Sequence, residues 1–383
     1  MSERRPETAA VRGGRPPALP GVPAVTPLHR ETIYEYASAA EFAEVMADSR
    51  RGYLYSRIRN PNTDELAGAV AELECAAAAH CFASGMAALS AGIDGLAPAG
   101  ARVVATRQLY GQTYSLLRGR GDTVFVDVDD HAGLERAAEG AQLVVTETVS
   151  NPHLAVADLE AVARIARAAG ARMMVDNTIA TPLGCRPLEL GADLVAHSAT
   201  KFLNGHSDAL AGILAGSREL IGAIAERALD TGATLSPDTA WLVRRGLRTL
   251  HLRLERSAAN AAAIAAFLDG HAAVQSVRYP GLAGDPHHAV ARRTLRGFGG
   301  LVAFEVAGGR SAAETVMDRL GLIIRATSLG GVESSISHPA STSHRQLTDA
   351  ELREAGVSPG MLRLSVGVEH QDDLLADLDG ALR

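Results

Sequence analysis

Met173-Met-Val-Asp-Asn-Thr-Ile-Ala-Thr-Pro182 and, a little further on, Asp193-Leu-Val-Ala-His-Ser-Ala-Thr-Lys-Phe-Leu-Asn-Gly-His-Ser-Asp208 are two apolar runs that each end in polar residues. Residues 171–175 read as a strand that delivers Asp176, and residues 193–196 as a strand that delivers Ser198, Thr200 and Lys201. Ligands of open α/β sheets sit beyond the carboxyl ends of the strands, so both polar sets are expected to face one crevice. A carboxylate and a lysine in that arrangement suit pyridoxal phosphate, which needs a lysine for its Schiff base and an acid to keep its ring nitrogen protonated. Taken singly, each has a plainer reading. A lysine after Ser and Thr is a solvated surface residue, and an aspartate after a strand is a helix N-cap. The surrounding chain has to decide.

On either side of this stretch, short apolar runs alternate with helical patterns. Strands are expected at 102–106, 123–128, 143–146, 172–175, 194–196 and 212–215, with helices between them, the clearest over 159–169. Such alternation predicts an α/β fold with a largely parallel, doubly wound sheet covered on both faces. Leu66, Val70 and Leu73 predict a helix from Thr63, with Asn62 or Thr63 as its cap. A helical tract over 237–268, broken near Gly246, leads into a smaller α+β unit with strands at 276–279, 301–306, 322–325 and 362–366. The expected division is an N-terminal arm over 1–48, a large cofactor-binding domain over 49–246 and a small C-terminal domain over 247–383. Residues 1–28 are rich in Pro, Gly and Arg and lack periodicity, so they read as a mobile arm ordered only by a partner.

Composition removes several classes. A chain of 383 residues has room for two or three domains with large cores. The net charge of −7 argues against a nucleic-acid surface, which would be basic. No apolar run reaches the roughly 18 residues of a membrane span. Arg4 and Arg5 are not followed by the apolar region of a signal peptide. Cys75, Cys81 and Cys185 form no CxxC pair, so a reducing, cytoplasmic location and no metal site are expected.

Further polar residues stand where a cofactor would need them. Tyr55 and Arg57 precede a Pro-marked turn and suit a phosphate, although a surface turn is the plain alternative. Ser84, Gly85 and Met86 open an Ala/Leu-rich helix whose first N–H groups and dipole favour an anion. Tyr110 follows a strand and precedes a glycine, as either a ring-stacking tyrosine or a core one. Glu147, Ser150 and Asn151 lie beyond another strand, where Asn151 suits a phenolic oxygen or simply a turn. Arg363 sits inside an apolar strand, costly to bury unless it pairs with a substrate carboxylate or an internal acid.

Tyr55-Ser-Arg57, Ser84-Gly-Met86, Leu109-Tyr-Gly111, Asn151-Pro152, Val175-Asp-Asn177, Ser198-Ala-Thr-Lys201, Ser328-Leu-Gly-Gly331, His338-Pro-Ala340 and Arg363-Leu-Ser-Val-Gly367 occur in one order. With them the chain, from roughly residue 20 to its end, resembles the Cys/Met-metabolism family of pyridoxal-phosphate enzymes, which includes methionine γ-lyase, cystathionine γ-lyase and cystathionine γ-synthase. The resemblance implies a type I, aspartate-aminotransferase-like fold. It implies that Lys201 is the Schiff-base lysine, Asp176 the partner of the pyridine nitrogen, and Tyr110 the stacking tyrosine. Gly85, Met86, Ser198 and Thr200 match the phosphate cradle, with Ser84 and Asn151 expected among the cofactor-binding residues beside them. Tyr55 and Arg57 match residues that reach a neighbouring subunit's phosphate, in a homotetramer built from dimers with shared active sites. Arg363, with Ser328 and Leu329, resembles the clamp for the carboxylate of a small amino-acid substrate.

The resemblance also bears on the substrate. Cystathionine-cleaving relatives often carry acidic residues just before Tyr-Ser-Arg and Ser-Leu-Gly, where this chain has Leu54 and Thr327. Methionine γ-lyases often carry Cys after Tyr-Gly, where this chain has Gln112. The expected reaction is γ-elimination on a methionine-like L-amino acid, giving an α-keto acid and ammonia. The alternatives are γ-replacement on an activated homoserine, loss of a non-sulfur group such as halide, and lysis of cystathionine or cysteine. Arg59 and Asn62 also depart from the family pattern, and Arg59 is expected to face water.

Overall fold

The structure is a computed structural model that describes residues 5–13, 23–48, 51–342, 345, 348, 352 and 356–383. Its larger sheet comprises β1 (Ala78–Phe82), β2 (Val103–Thr106), β3 (Thr123–Val126), β4 (Leu143–Glu147), β5 (Arg172–Asp176), β6 (Leu194–Ser198) and β7 (Gly212–Gly216), in the order β1-β7-β6-β5-β4-β2-β3. Strands β3 to β6 and β2 pair in parallel, while β7 runs antiparallel to both of its neighbours.

Alternate residues of these strands feed two cores. Val103, Ala105, Val145, Met174, Ala196 and Leu214 pack on one face with Leu89 and Ile93 of helix Gly85–Leu96. Val104, Val144, Met173, Val175 and Ile213 pack on the other with Leu66 and Val70 of helix Pro61–Leu73 and with helix Leu159–Ala168. The period of two is that of a strand, and burial on both faces explains why the runs read as continuously apolar. Each Val, Leu, Ile or Met side chain among them, fully buried, contributes roughly 1.5–3 kcal/mol relative to exposure.

Every strand expected in this region is present within a residue or two. One was not foreseen: Ala78-Ala-His-Cys-Phe82 holds no β-branched residue to mark it as β1. Helix Pro61–Leu73 also begins earlier than the apolar spacing suggests. Its cap is Asn60, whose Oδ1 accepts from the Asn62 amide at 2.9 Å, with Pro61 pre-set in the first turn. Asn62 instead ties down the incoming chain, through Pro27 O and the His29 amide.

The smaller sheet, β10-β11-β12-β9-β8, consists of β8 (Val274–Arg278), β9 (Leu301–Val306), β10 (Ile324–Arg325), β11 (Ser335–Ser337) and β12 (Met361–Ser365). Ser335-Ile-Ser337 is too short and polar to read as a strand, and it escaped the sequence reading. The helical tract before this sheet divides into Pro237–Leu247 and Leu250–Asp269. Among the described residues no helix is long and apolar enough to cross a membrane.

The N-terminal segment departs from expectation. Pro6–Arg12 is a helix whose Ala9 and Ala10 are buried. Arg244 holds it, donating to the carbonyls of Ala10, Val11 and Gly13 at 2.9–3.1 Å while pairing with Glu65 at 3.1 Å. A buried guanidinium needs such acceptors, and the docked helix supplies them within the same chain. Of the expected arm, residues 23–48 are also described and include helix Ala39–Ala47, whereas residues 1–4 and 14–22, and residues 49–50 at the expected boundary, lie outside the described residues.

Candidate active site

The carboxyl ends of β4, β5 and β6 and the start of helix Gly85–Leu96 enclose a cavity of about 500 Å³. Glu147, Asp176 and Ala196 stand side by side in register across the three strands, so the cavity floor is set by sheet pairing alone. Ser84, Gly85, Met86, Ser198 and Thr200 line one end. Tyr110, Asn151, Asp176 and Lys201 line the middle, and Ser328, Leu329 and Arg363 close the other side. Lys201 and Arg363 come together from different sheets.

Asp176 is 9% exposed. Its Oδ1 accepts from the Thr178 amide at 3.0 Å and from the Thr178 hydroxyl, and Oδ2 has no hydrogen bond among the described residues. Burial pushes this carboxyl up, and the Thr178 bonds, His197 and Lys201 pull it back. Burial, and then the nearby Arg363, lowers Lys201 to about 8, with Asp176 opposing. The Lys201 amine donates to Ser328 Oγ at 2.6 Å. Ser328 itself sits at φ +78°, a left-handed conformation that costs a non-glycine residue energy and is found at sites where geometry matters.

Arg363 is 4% exposed. It donates to Asn151 Oδ1 at 2.7 Å and to Ser328 O at 2.5 Å, while its Nε has no partner. Among the described residues no carboxylate pairs with it. Burial lowers it to about 10, so it remains a cation at neutral pH.

At the other end the helix begins against β6. Ser84 Oγ caps the Ala87 amide at 3.1 Å, while the Gly85 and Met86 amides meet no acceptor among the described residues. A Cβ on Gly85 would lie 2.7 Å from that of Ser198, so only glycine lets the helix start this close to the strand. Two unused amides, a helix dipole and the Ser198 and Thr200 hydroxyls make an anion cradle.

The profile of the family described as Cys/Met metabolism PLP-dependent enzyme matches residues 7–383. The chain belongs to that family. It is 42% identical to an L-methionine γ-lyase from Pseudomonas putida, over 98% of this chain and 96% of the relative. Among solved structures it resembles a cystathionine γ-synthase from Xanthomonas oryzae pv. oryzae, in complex with aminoacrylate and cysteine, with TM-score 0.91, 38% identity and coverage of 99% and 98%. It also resembles a putative O-acetylhomoserine (thiol)-lyase from Campylobacter jejuni that carries N'-pyridoxyl-lysine-5'-monophosphate, with TM-score 0.93, 31% identity and coverage of 99% and 100%. The fold is accordingly the type I fold of pyridoxal-phosphate enzymes.

This Cys/Met-metabolism enzyme depends on pyridoxal phosphate, and the cavity suits that group on its own chemistry. An unpartnered carboxylate oxygen on Asp176 fits a ring nitrogen, an amine lowered to about 8 fits an aldehyde, and the anion cradle fits a phosphate. Lys201 is the only lysine in the sequence, a signal the motif reading overlooked.

Two expected residues stand apart from the cavity within this chain. Tyr55, 39% exposed, is not on the cavity wall. Arg57 donates to Leu229 O at 2.9 Å and lines a small separate hollow. Arg59 is not the solvated cation expected from sequence: it pairs with Asp64 at 2.6 Å and lies over the Tyr53 ring at 5.1 Å. Gln112 and Thr327 do reach the cavity, but Leu54 does not. Thr178 was missed, although a hydroxyl two residues after an aspartate is a familiar local partner for it.

Proposed function

We propose that this chain is a γ-lyase that takes a methionine-like L-amino acid and water and releases the γ leaving group in protonated form, as a thiol from a thioether, together with an α-keto acid and ammonia. In this reading Lys201 holds the cofactor and then serves as the base at Cα, and Asp176 pairs with the ring nitrogen. Tyr110 stacks on the ring and donates to the leaving group. Ser84, Gly85, Met86, Ser198 and Thr200 hold the phosphate, and Asn151 faces the ring's phenolic oxygen. Arg363, with Ser328 and Leu329, binds the substrate carboxylate. Tyr55 and Arg57, turned outward here, complete the phosphate site of a neighbouring copy in a homotetramer of dimers. Residues 49–246 carry the cofactor, and 247–383 contribute Arg363 across it.

Pyridoxal phosphate, when bound, supplies the electron sink for charge that develops at Cα. The protein supplies the rest. Arg363 fixes the substrate by its carboxylate, which orients the Cα proton toward the lysine. The Lys201 amine takes that proton because burial holds it near neutrality rather than at the usual lysine value.

The observation that carries the choice of substrate is the cavity wall. Beyond the floor acids Glu147 and Asp176, the described residues lining it include no carboxylate; Gln112, Leu210, Thr327 and Thr342 stand there. A distal ammonium such as that of cystathionine finds no countercharge on that wall, whereas a neutral thioether does not need one. The likeness to a methionine γ-lyase supports the same reading. The likeness to a cystathionine γ-synthase keeps γ-replacement as the second reading. Methionine, cystathionine, homocysteine and O-acetylhomoserine, each supplied with and without a thiol, separate the two. Keto acid from methionine without added thiol is the expected result; thioether formed only with thiol would replace lysis by synthesis.

The lysine also predicts a pH dependence. Only the neutral amine attacks an aldehyde, and with a value of about 8 its share rises tenfold per pH unit below that point and then saturates. The rate at which apo-protein takes up the cofactor, followed by visible absorbance, should level off just above pH 8. An ordinary lysine would keep climbing toward about 10.4, and such a profile would show that burial does not lower Lys201 and would remove the reason given for its acting as the base near neutral pH.

A further inference from the structure

Glu147 ends β4 beside Asp176, 5% exposed, on the floor of the cavity. A second carboxylate there is expensive, because it adds burial of charge to repulsion from its neighbour. Both effects push Glu147 well above the usual range, and two backbone amides oppose them. A position whose only task was to extend the strand would hold an apolar residue, as Val144 and Val145 do.

The two amides belong to residues of the site. Glu147 Oε1 accepts from the Tyr110 amide at 2.6 Å, and Oε2 accepts from the Asn151 amide at 3.2 Å. Tyr110 is the N-cap of helix Gly111–Gly119 and has no side-chain cap of its own, so the carboxylate also meets the positive end of that helix. From Asn151 the connection continues. Its Oδ1 accepts from Arg363, Arg363 donates to Ser328 O, and Ser328 Oγ accepts from Lys201. A path of hydrogen bonds, carried through the covalent frames of Asn151 and Ser328, therefore runs from Tyr110 to Lys201, and Glu147 is the link that joins Tyr110 to the rest.

We propose that Glu147 is a positioning residue: it locks the ring-facing Tyr110 and the Asn151–Arg363 carboxylate clamp into a single unit, so that ring and substrate are held in fixed relation. The inference rests on the roles given above to Tyr110, Asn151 and Arg363. It adds a residue that touches neither the substrate carboxylate nor the ring nitrogen and acts through those that do.

The test uses holoenzyme with Glu147→Gln. The amide keeps the volume but offers one acceptor, so one of the two N–H groups is left unpaired. Expected are a changed visible circular dichroism of the bound cofactor and a KM for L-methionine raised ~10-fold, with a smaller change in kcat. In an Asn151→Ala background the same change should add little to KM, because the two residues act in series. Unchanged dichroism and KM, or an effect that multiplies fully with Asn151→Ala, would overturn the assignment. If Glu147→Gln does not fold, Glu147→Asp takes its place, since the shorter acid can still accept from one amide. Failure of both to fold would make Glu147 a requirement of the fold and equally overturn it. Wild-type protein that takes up no pyridoxal phosphate would sink the functional reading itself, whereas normal uptake with a silent Glu147→Gln would sink this inference alone.

Discussion

Lys201→Ala should lower turnover of every amino acid by at least about 10⁴-fold, because it removes the cofactor's covalent anchor and the base at Cα together. Lys201→Arg is the sharper control. It keeps the positive charge, and a longer donor can still reach Ser328 Oγ, now 2.6 Å from the lysine amine. Yet a guanidinium stays protonated in proteins and cannot attack an aldehyde. Every other basic side chain of this chain, histidine aside, is already an arginine, so Lys201→Arg leaves the protein with no lysine at all. Both variants should be equally inactive and should fold. Borohydride reduction of wild-type holoprotein, followed by peptide mass analysis, should place the pyridoxyl group on the peptide that contains residue 201. Turnover by Lys201→Arg within tenfold of wild type would show that charge alone is needed and that the anchor lies elsewhere.

Legibility followed the range of the interactions. Asp176, Ser198 and Lys201 could be read because strands that end in polar residues advertise a crevice, and the structure brings those ends together in register. The antiparallel entry of β7 could not be read, since Gly212-Ile-Leu-Ala-Gly216 is equally apolar in either direction. Order in the N-terminal segment was hidden for a different reason: the arginine that docks Ala10 lies 234 positions away. Arg59 looked solvated because its partner Asp64 only faces it once the chain has turned into helix Pro61–Leu73. Glu147 was visible as one polar residue among several following the expected strand 143–146. Its distinction comes from two backbone amides, of which Tyr110 belongs to a loop that only the β2–β4 pairing brings near.

Arg363→Ala should raise the KM for an α-amino acid by ~10² to 10³-fold, the loss expected when one partner of a desolvated charge pair is truncated. The guanidinium is 4% exposed and has polar but no anionic partners among the described residues, so its charge is compensated only when a carboxylate arrives. Arg363→Lys should recover part of the loss, since an ammonium supplies the charge without the planar fork. The same reasoning predicts a second, much smaller effect on stability. A buried cation without an anion costs stability, and an apolar side chain of similar size removes that cost but leaves Asn151 Oδ1 and Ser328 O without their donor. Arg363→Leu or Arg363→Met should therefore melt close to the wild-type temperature as apo-protein, while binding substrate far more weakly. Saturating amino acid should raise the wild-type melting temperature and leave that of Arg363→Leu unmoved, because only a ligand that binds the native state shifts it. If Arg363→Leu melted well below wild type with an unchanged KM, the arginine would be a strut between the two sheets, and the substrate carboxylate would have to be sought at another cation.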